Sequence, residues 1–164
     1  MLTLSRLEVA SLVKETVDFQ SWLKDIVDDV SFESQLKGIS ISKVGRLPKS
    51  ILGDPLQLRH AIENVLRNAC FYAGNEGVIE VETQEKAGMA YIYVRDNGPG
   101  VSDDKLEKIF HAFYRSSEAR EANSGGFGVG LTISQRIVRA HKGQITASNL
   151  EKGGLEVCFQ LPVA

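Results

Sequence analysis

The chain of 164 residues is long enough for one domain with a real core, and 43% apolar with 24% charged residues is an ordinary globular balance. No stretch approaches the ~18 apolar residues of a membrane span, and the net charge of −2 argues against a protein built to coat nucleic acid. Cys70 and Cys158 form no CxxC, and His60, His111 and His141 lack metal-ligand spacing, so a zinc or redox centre finds no support and a reduced cytosolic setting is expected.

The opening "MLTLSRLEVASLVKE" carries Arg6 and Glu8 inside its apolar run and lacks a signal-peptide core. Leu2, Leu4, Leu7, Val9, Leu12 and Val13 follow a helix-like pattern too short to stand alone, which reads as the tail of a helix whose partner lies elsewhere. "VDF" (17–19) reads as a short strand. Ser21 is placed to cap a helix through Leu36, with Trp22, Ile26, Val27 and Val30 inward and Gly38 as its stop. "GISISKV" alternates as a strand does. Asp54 before Pro55 is a strong helix start, and that helix runs to about Tyr72. "GVIEVETQ" and "MAYIYVRDN" alternate on either side of "EKAG", which predicts a hairpin. Ser102 opens a further helix, with Asp103 and Asp104 at its positive end and Leu106, Ile109, Phe110 and Phe113 toward a core. A helix over 129–141 and strands "GQITASNL" and "LEVCFQL" complete an α/β sandwich: one mixed, mostly antiparallel sheet with helices on one face.

Three stretches carry candidate chemistry. "GGFGVGL" (125–131) sets Gly125, Gly126, Gly128 and Gly130 before a helix start. It matches neither G-x-x-x-x-G-K-[ST] nor G-x-G-x-x-G, which leaves a plain loop or a set of free N–H groups that favours an anion. In "RDNGPG" (95–100), Asp96 ends a strand, and Gly98 and Gly100 let the chain turn sharply around it. That is a good turn, and equally a carboxylate placed to accept from an exocyclic amine such as that of adenine. On the Asp54 helix, His60, Asn64, Asn68 and Tyr72 recur every fourth residue along one stripe. A solvated polar face is one reading. Two asparagines in register are poor helix formers, however, and their carboxamide oxygens suit Mg²⁺ while a tyrosine face suits a base.

Taken in order, Asn64-x-x-x-Asn68-Ala69, Asp96-x-Gly98-x-Gly100, Phe110-x-x-Phe113 and Gly126-x-Gly128-x-Gly130-Leu131 resemble the ATP-binding domain of sensor histidine kinases. This Bergerat-fold superfamily also holds type II topoisomerases, the ninety-kilodalton heat-shock chaperones and the MutL repair proteins. The resemblance covers roughly residues 16–162, and "FYRSSEAREANSGG" (113–126) is similar to the lid of Gram-negative envelope-stress sensor kinases.

The resemblance implies ATP and Mg²⁺ as cofactors. By motif position it implies that Asp96 binds the adenine amine, Asn68 ligates Mg²⁺, Asn64 orders water or metal, Arg67 reaches phosphate and Tyr72 packs on the base. It carries Gly98, Gly100, Val101, Phe113, Gly126, Gly128, Val129, Gly130 and Leu131 into the nucleotide site, and Arg115 and Arg120 as lid clamps whose guanidinium forks suit phosphate. Asn64, Arg67 and Arg115 are the implied catalytic groups. Phe71 stands where a basic residue is frequent, and Phe127 where a threonine is.

Residues 1–15 then read as the end of a dimerisation helix with its linker, and 16–164 as the catalytic domain. The implied partners are the dimerisation domain that carries the acceptor histidine and a response regulator receiver domain. The implied setting is the cytoplasmic part of a bacterial inner-membrane sensor, with no membrane or nucleic-acid contact by this chain. The ATPase relatives place a glutamate at position 64 as general base, where this chain has Asn64; Glu63, one residue away, points off the stripe. A kinase is therefore favoured over an ATPase or over a nucleotide-binding module without chemistry. No histidine lies in an H-E-x-x-x-P setting.

Overall fold

The computed structural model describes residues 12–45, 50–111 and 130–164. In chain order its elements are β1 (Glu15–Asp18), α1 (Phe19–Ser34), β2 (Ser40–Gly45), β3 (Ser50–Gly53), α2 (Pro55–Ala73), β4 (Val78–Lys86), β5 (Met89–Asp96), α3 (Gly130–Ala140), β6 (Gln144–Asn149) and β7 (Leu155–Pro162). Five strands form one sheet in the order β2-β4-β5-β7-β6, with β2 parallel to β4 and the other pairs antiparallel. β1 and β3 form a separate antiparallel pair, joined to the end of β7 by a bridge between Ile51 and Val163.

Alternation fixes the two faces of the sheet. Ile79 and Val81 on β4, Ala90, Ile92 and Val94 on β5, and Val157, Phe159 and Leu161 on β7 all turn toward the helices and are buried. The other face is polar: Arg95 there bonds Glu80, Glu82 and Glu156 and lies 5.0 Å from the Tyr93 ring centroid. One wet face and one packed face is what an antiparallel sheet with one helical layer requires. The helices supply matching seams. α2 buries Leu58, Ala61, Ile62, Val65, Leu66, Ala69 and Cys70 at the i, i+3, i+4 spacing. Its start is fixed as expected, since Asp54 Oδ1 accepts from the N–H groups of Leu56 and Gln57, and Pro55 follows.

The structure corrects four local expectations. The first strand ends at Asp18, and Phe19 already belongs to α1, because its wholly buried ring starts that helix's inward seam. Ser21 therefore sits inside the first turn and is no cap; its hydroxyl donates back to Asp18 O. β3 was not anticipated. Lastly, 103–111 form no α-helix but two 3₁₀ turns, Asp103–Lys105 and Lys108–Phe110, and Ser102 makes no capping bond. The segment is tied at both ends. Asp103 Oδ1 accepts from Asn149, and Phe110 O accepts from Thr132, which leaves no run long enough for an α-helix.

Candidate functional site

Asp96 shares the parity of Ala90, Ile92 and Val94, so the last side chain of β5 is directed to the helix side of the sheet. It is 5% exposed. Its Oδ1 accepts from Gly98 N–H at 2.9 Å and from Leu155 N–H at 3.3 Å. Among the described residues its Oδ2 accepts nothing. Burial pushes this carboxyl above the usual carboxylate range, and the two N–H donors partly offset the rise. The result is a fixed, buried acceptor with one oxygen uncommitted.

Two close approaches hold that carboxylate in place. A Cβ on Gly98 would meet Tyr72 O at 2.5 Å, so the Asp96 turn lies against the last turns of α2 only because position 98 is glycine. A Cβ on Gly154 would meet Asp96 O at 1.9 Å, and Gly154 has φ 101°. Sequence reading singled out Gly98 but missed Gly154 and the Leu155 N–H. Their only signal is a Gly-Gly before a strand, and its pairing partner lies 59 residues away.

The α2 stripe lies beside this turn. Asn64, Asn68 and Tyr72 are half-buried along one flank of the helix, whereas His60 is exposed. Among the described residues the carboxamides of Asn64 and Asn68 have no hydrogen-bond partner. Such pairs of free oxygen donors suit a hard cation. Among the described residues no group of three His, Cys, Asp or Glu is placed to hold a metal by itself, so the donor set fits Mg²⁺ only as an ion that brings most of its own oxygen ligands. Tyr72 meets Phe71 edge to face, with centroids 5.1 Å apart.

The opposite flank of α2 belongs to α1. Glu63 is bonded by Arg59 and Arg67, and Arg67 also forms a two-point pair with Glu33 at 2.8 and 2.9 Å. Glu63 thus points off the asparagine stripe, as expected. So does Arg67. It lies four residues after Glu63, and its guanidinium is engaged by Glu33 and Glu63 on the α1 side.

Val101 is half-buried against the core, and Leu131, the second residue of α3, is buried in it. α3 is tied to the site's walls by Thr132 on Phe110 O at 2.7 Å and by Ser134 on Ala61 O at 2.8 Å. Phe113, Arg115, Arg120, Gly126, Phe127, Gly128 and Val129 lie outside the described residues.

Residues 53–164 match the family described as histidine kinase-, DNA gyrase B-, and HSP90-like ATPase. The sensor histidine kinase CpxA of Escherichia coli K12 is 37% identical over 155 residues, which cover 93% of this chain and 33% of that protein. The sensor protein kinase WalK of Staphylococcus haemolyticus is 32% identical over 169 residues, 99% of this chain and 27% of that protein. The chain thus spans 33% or less of the length of these curated relatives. Full-length ShkA, solved in complex with AMPPNP, overlays with a TM-score of 0.85 at 28% identity, across 99% of this chain and 34% of that one.

Proposed function

This chain belongs to the family of histidine kinase-, DNA gyrase B- and HSP90-like ATPases, and from that membership we propose that it is the ATP-binding catalytic domain of a two-component sensor histidine kinase. It gives the γ-phosphate of ATP to a histidine on a dimerisation domain, from which a response regulator receiver domain takes it. The full protein is a bacterial inner-membrane sensor with this domain on the cytoplasmic side. Among the described residues no helix is long and apolar enough to cross a membrane.

The observation that carries the reading is Asp96: a buried carboxylate clamped through one oxygen and, among the described residues, open at the other, beside two asparagines that likewise have no partner there. The open oxygen accepts the exocyclic amine of adenine, and Gly98 keeps the backbone close enough for the base to slide beneath Tyr72. Asn68, with Asn64 one turn before it, would offer a carboxamide oxygen to the Mg²⁺ that accompanies the triphosphate. When bound, Mg²⁺ neutralises charge at the phosphates. By motif position, Arg115, Arg120 and the glycine run 126–130 are the further candidates for the phosphates.

Kinase is preferred to ATPase for a local reason. Position 64 is an amide that takes no proton, and the adjacent carboxylate, Glu63, is engaged by two arginines on the α1 side. Among the described residues, the asparagine stripe offers water at the γ-phosphate no base. Transfer to an imidazole needs mainly position and charge neutralisation, which the asparagines, metal and lid provide.

The test joins this chain to a dimerisation domain that carries the acceptor histidine and supplies γ-labelled ATP. Acid-labile, alkali-stable label in the joined protein, and none in this chain alone, is the expected result. Normal ATP binding without label in the joined protein would reduce the chain to a nucleotide-binding module without chemistry.

A further inference from the structure

Asn149 is the last residue of β6, and its side chain reaches a loop 48 residues earlier in the chain. Its Oδ1 accepts from Val101 N–H at 2.9 Å, and its Nδ2 donates to Val101 O and, at 3.0 Å, to Asp103 Oδ1. One carboxamide thus satisfies both backbone groups of a single residue, as a neighbouring strand would. The approach is close: Gly100 has φ +74°, and a Cβ there would stand 2.7 Å from Asn149 Oδ1.

The same β6–β7 turn folds back on itself, with Leu150 N–H donating to Gly154 O at 2.9 Å and Gly153 N–H to Leu150 O at 3.0 Å. Gly154 in turn sits on Asp96, and Leu155 N–H bonds its carboxylate. One turn therefore holds Asp96 through its glycine and Val101 through its asparagine.

We propose that Asn149 is a positioning residue for nucleotide binding: it fixes the 100–103 loop relative to Asp96, so that the slot for the adenine ring is preformed. The inference rests on the adenine-nucleotide reading above. Asn149 touches no nucleotide itself. Its contribution is to spare the ligand the ordering of a loop that begins four residues after the base anchor. Alanine at 149 leaves Val101 N–H and C=O without a partner. Aspartate keeps the shape and one acceptor but turns an oxygen toward Val101 O and the Asp103 carboxylate, where like groups repel.

The test compares the parent chain with Asn149→Ala and Asn149→Asp by calorimetric titration with ATP, ADP and adenosine, with and without Mg²⁺, beside thermal melting and amide exchange. Affinity for all three ligands is expected to fall about tenfold in both variants, while the Mg²⁺ dependence of ATP binding keeps the parent's ratio. The Val101 amide is expected to exchange faster in both ligand-free variants. Two results overturn the proposal: variants that bind within about twofold of a parent that binds, whatever their melting temperature, or a loss confined to ATP with Mg²⁺, which belongs to the phosphate end. A parent that binds none of the three ligands defeats instead the nucleotide reading on which this one stands.

Discussion

At the scale of single residues, the proposed function rests on Asp96 and Asn64. Asp96 has no salt-bridge partner among the described residues, and its negative charge is steadied only by two N–H donors, so its remaining oxygen is a strong, fixed acceptor. Asp96→Asn keeps the shape and removes the charge. It is expected to cost ~1.5–3 kcal/mol of ADP affinity, the range for a hydrogen bond to a charged group, measured by calorimetry; equal affinity would remove Asp96 from the adenine site. Asn64 sets a second expectation. Phosphate release from ATP by the chain alone is expected to stay near background, and Glu63→Gln to leave it unchanged, because Arg59 and Arg67 hold that carboxylate away from the stripe. A fall in phosphate release in Glu63→Gln would make Glu63 the base that the geometry denies.

Among the elements, α2 carries most of the proposed site residues, and its two flanks differ. On the α1 flank, Arg59 and Arg67 alternate with Asp29, Glu33 and Glu63, and Arg67 holds the Glu33 carboxyl below its usual range. The Arg67–Glu33 pair is about half exposed on both sides, so Arg67→Ala is expected to cost no more than ~1 kcal/mol of stability and to leave nucleotide affinity intact. A marked loss of ATP affinity in that variant would return Arg67 to the phosphates.

At its N-terminus α2 leans on His141. Nδ1 donates to Ile137 O at 2.7 Å, which leaves Nε2 to accept Asp54 N–H at 3.0 Å. Burial holds this imidazole below its ordinary value of 6.5; Lys14 opposes its charge and Asp54 favours it. The folded state therefore takes up the proton at lower pH than the unfolded chain does. The stability it contributes is complete above about 6.5 and is lost as pH falls from there toward the folded value. Glu33 and Glu82, both lowered from 4.5, act below that window. Urea unfolding between about pH 7.5 and 5.5 is expected to show falling stability in the parent and a flatter profile in His141→Gln. Equal slopes would contradict the neutral, accepting imidazole.

These elements also show what a sequence discloses. The α2 helix was legible end to end because its cap, its proline and its seam are local signals, and the Asp96 turn because strand parity and glycine spacing are local too. β3 offers four residues with one buried aliphatic, Ile51, and exists through pairing with β1 and the bridge to Val163, so no periodicity announces it. The 3₁₀ turns after Val101 follow from Asn149 and Thr132, neither of which is near them in the chain. The pairing of Arg67 with Glu63 follows from helical phase, whereas its other partner, Glu33, lies 34 residues earlier and is brought near only by the fold.

At the scale of the whole molecule, topology assembles the site. β5 lies at the centre of the five-stranded sheet, with β4 and β7 on either side, so its terminal Asp96 is reached by the β7 turn and covered by α2. The packed core is continuous beneath it, from Phe19 and Leu23 on α1 through Leu66 on α2 to Phe159 on β7. The sheet's other face, with Arg95 among three glutamates, takes no part in the site. On the proposed reading, the buried acceptor Asp96 takes adenine and Asn68 the metal-bearing phosphate, the two carboxamides being without a hydrogen-bond partner among the described residues. Calorimetric titration of the isolated chain with ATP, with and without Mg²⁺, reads both ends at once. Saturable binding at ~4–8 kcal/mol, strengthened by Mg²⁺ in the parent but not in Asn68→Ala, is the predicted result; no saturable heat with ATP, or identical Mg²⁺ dependence in the two proteins, would contradict it.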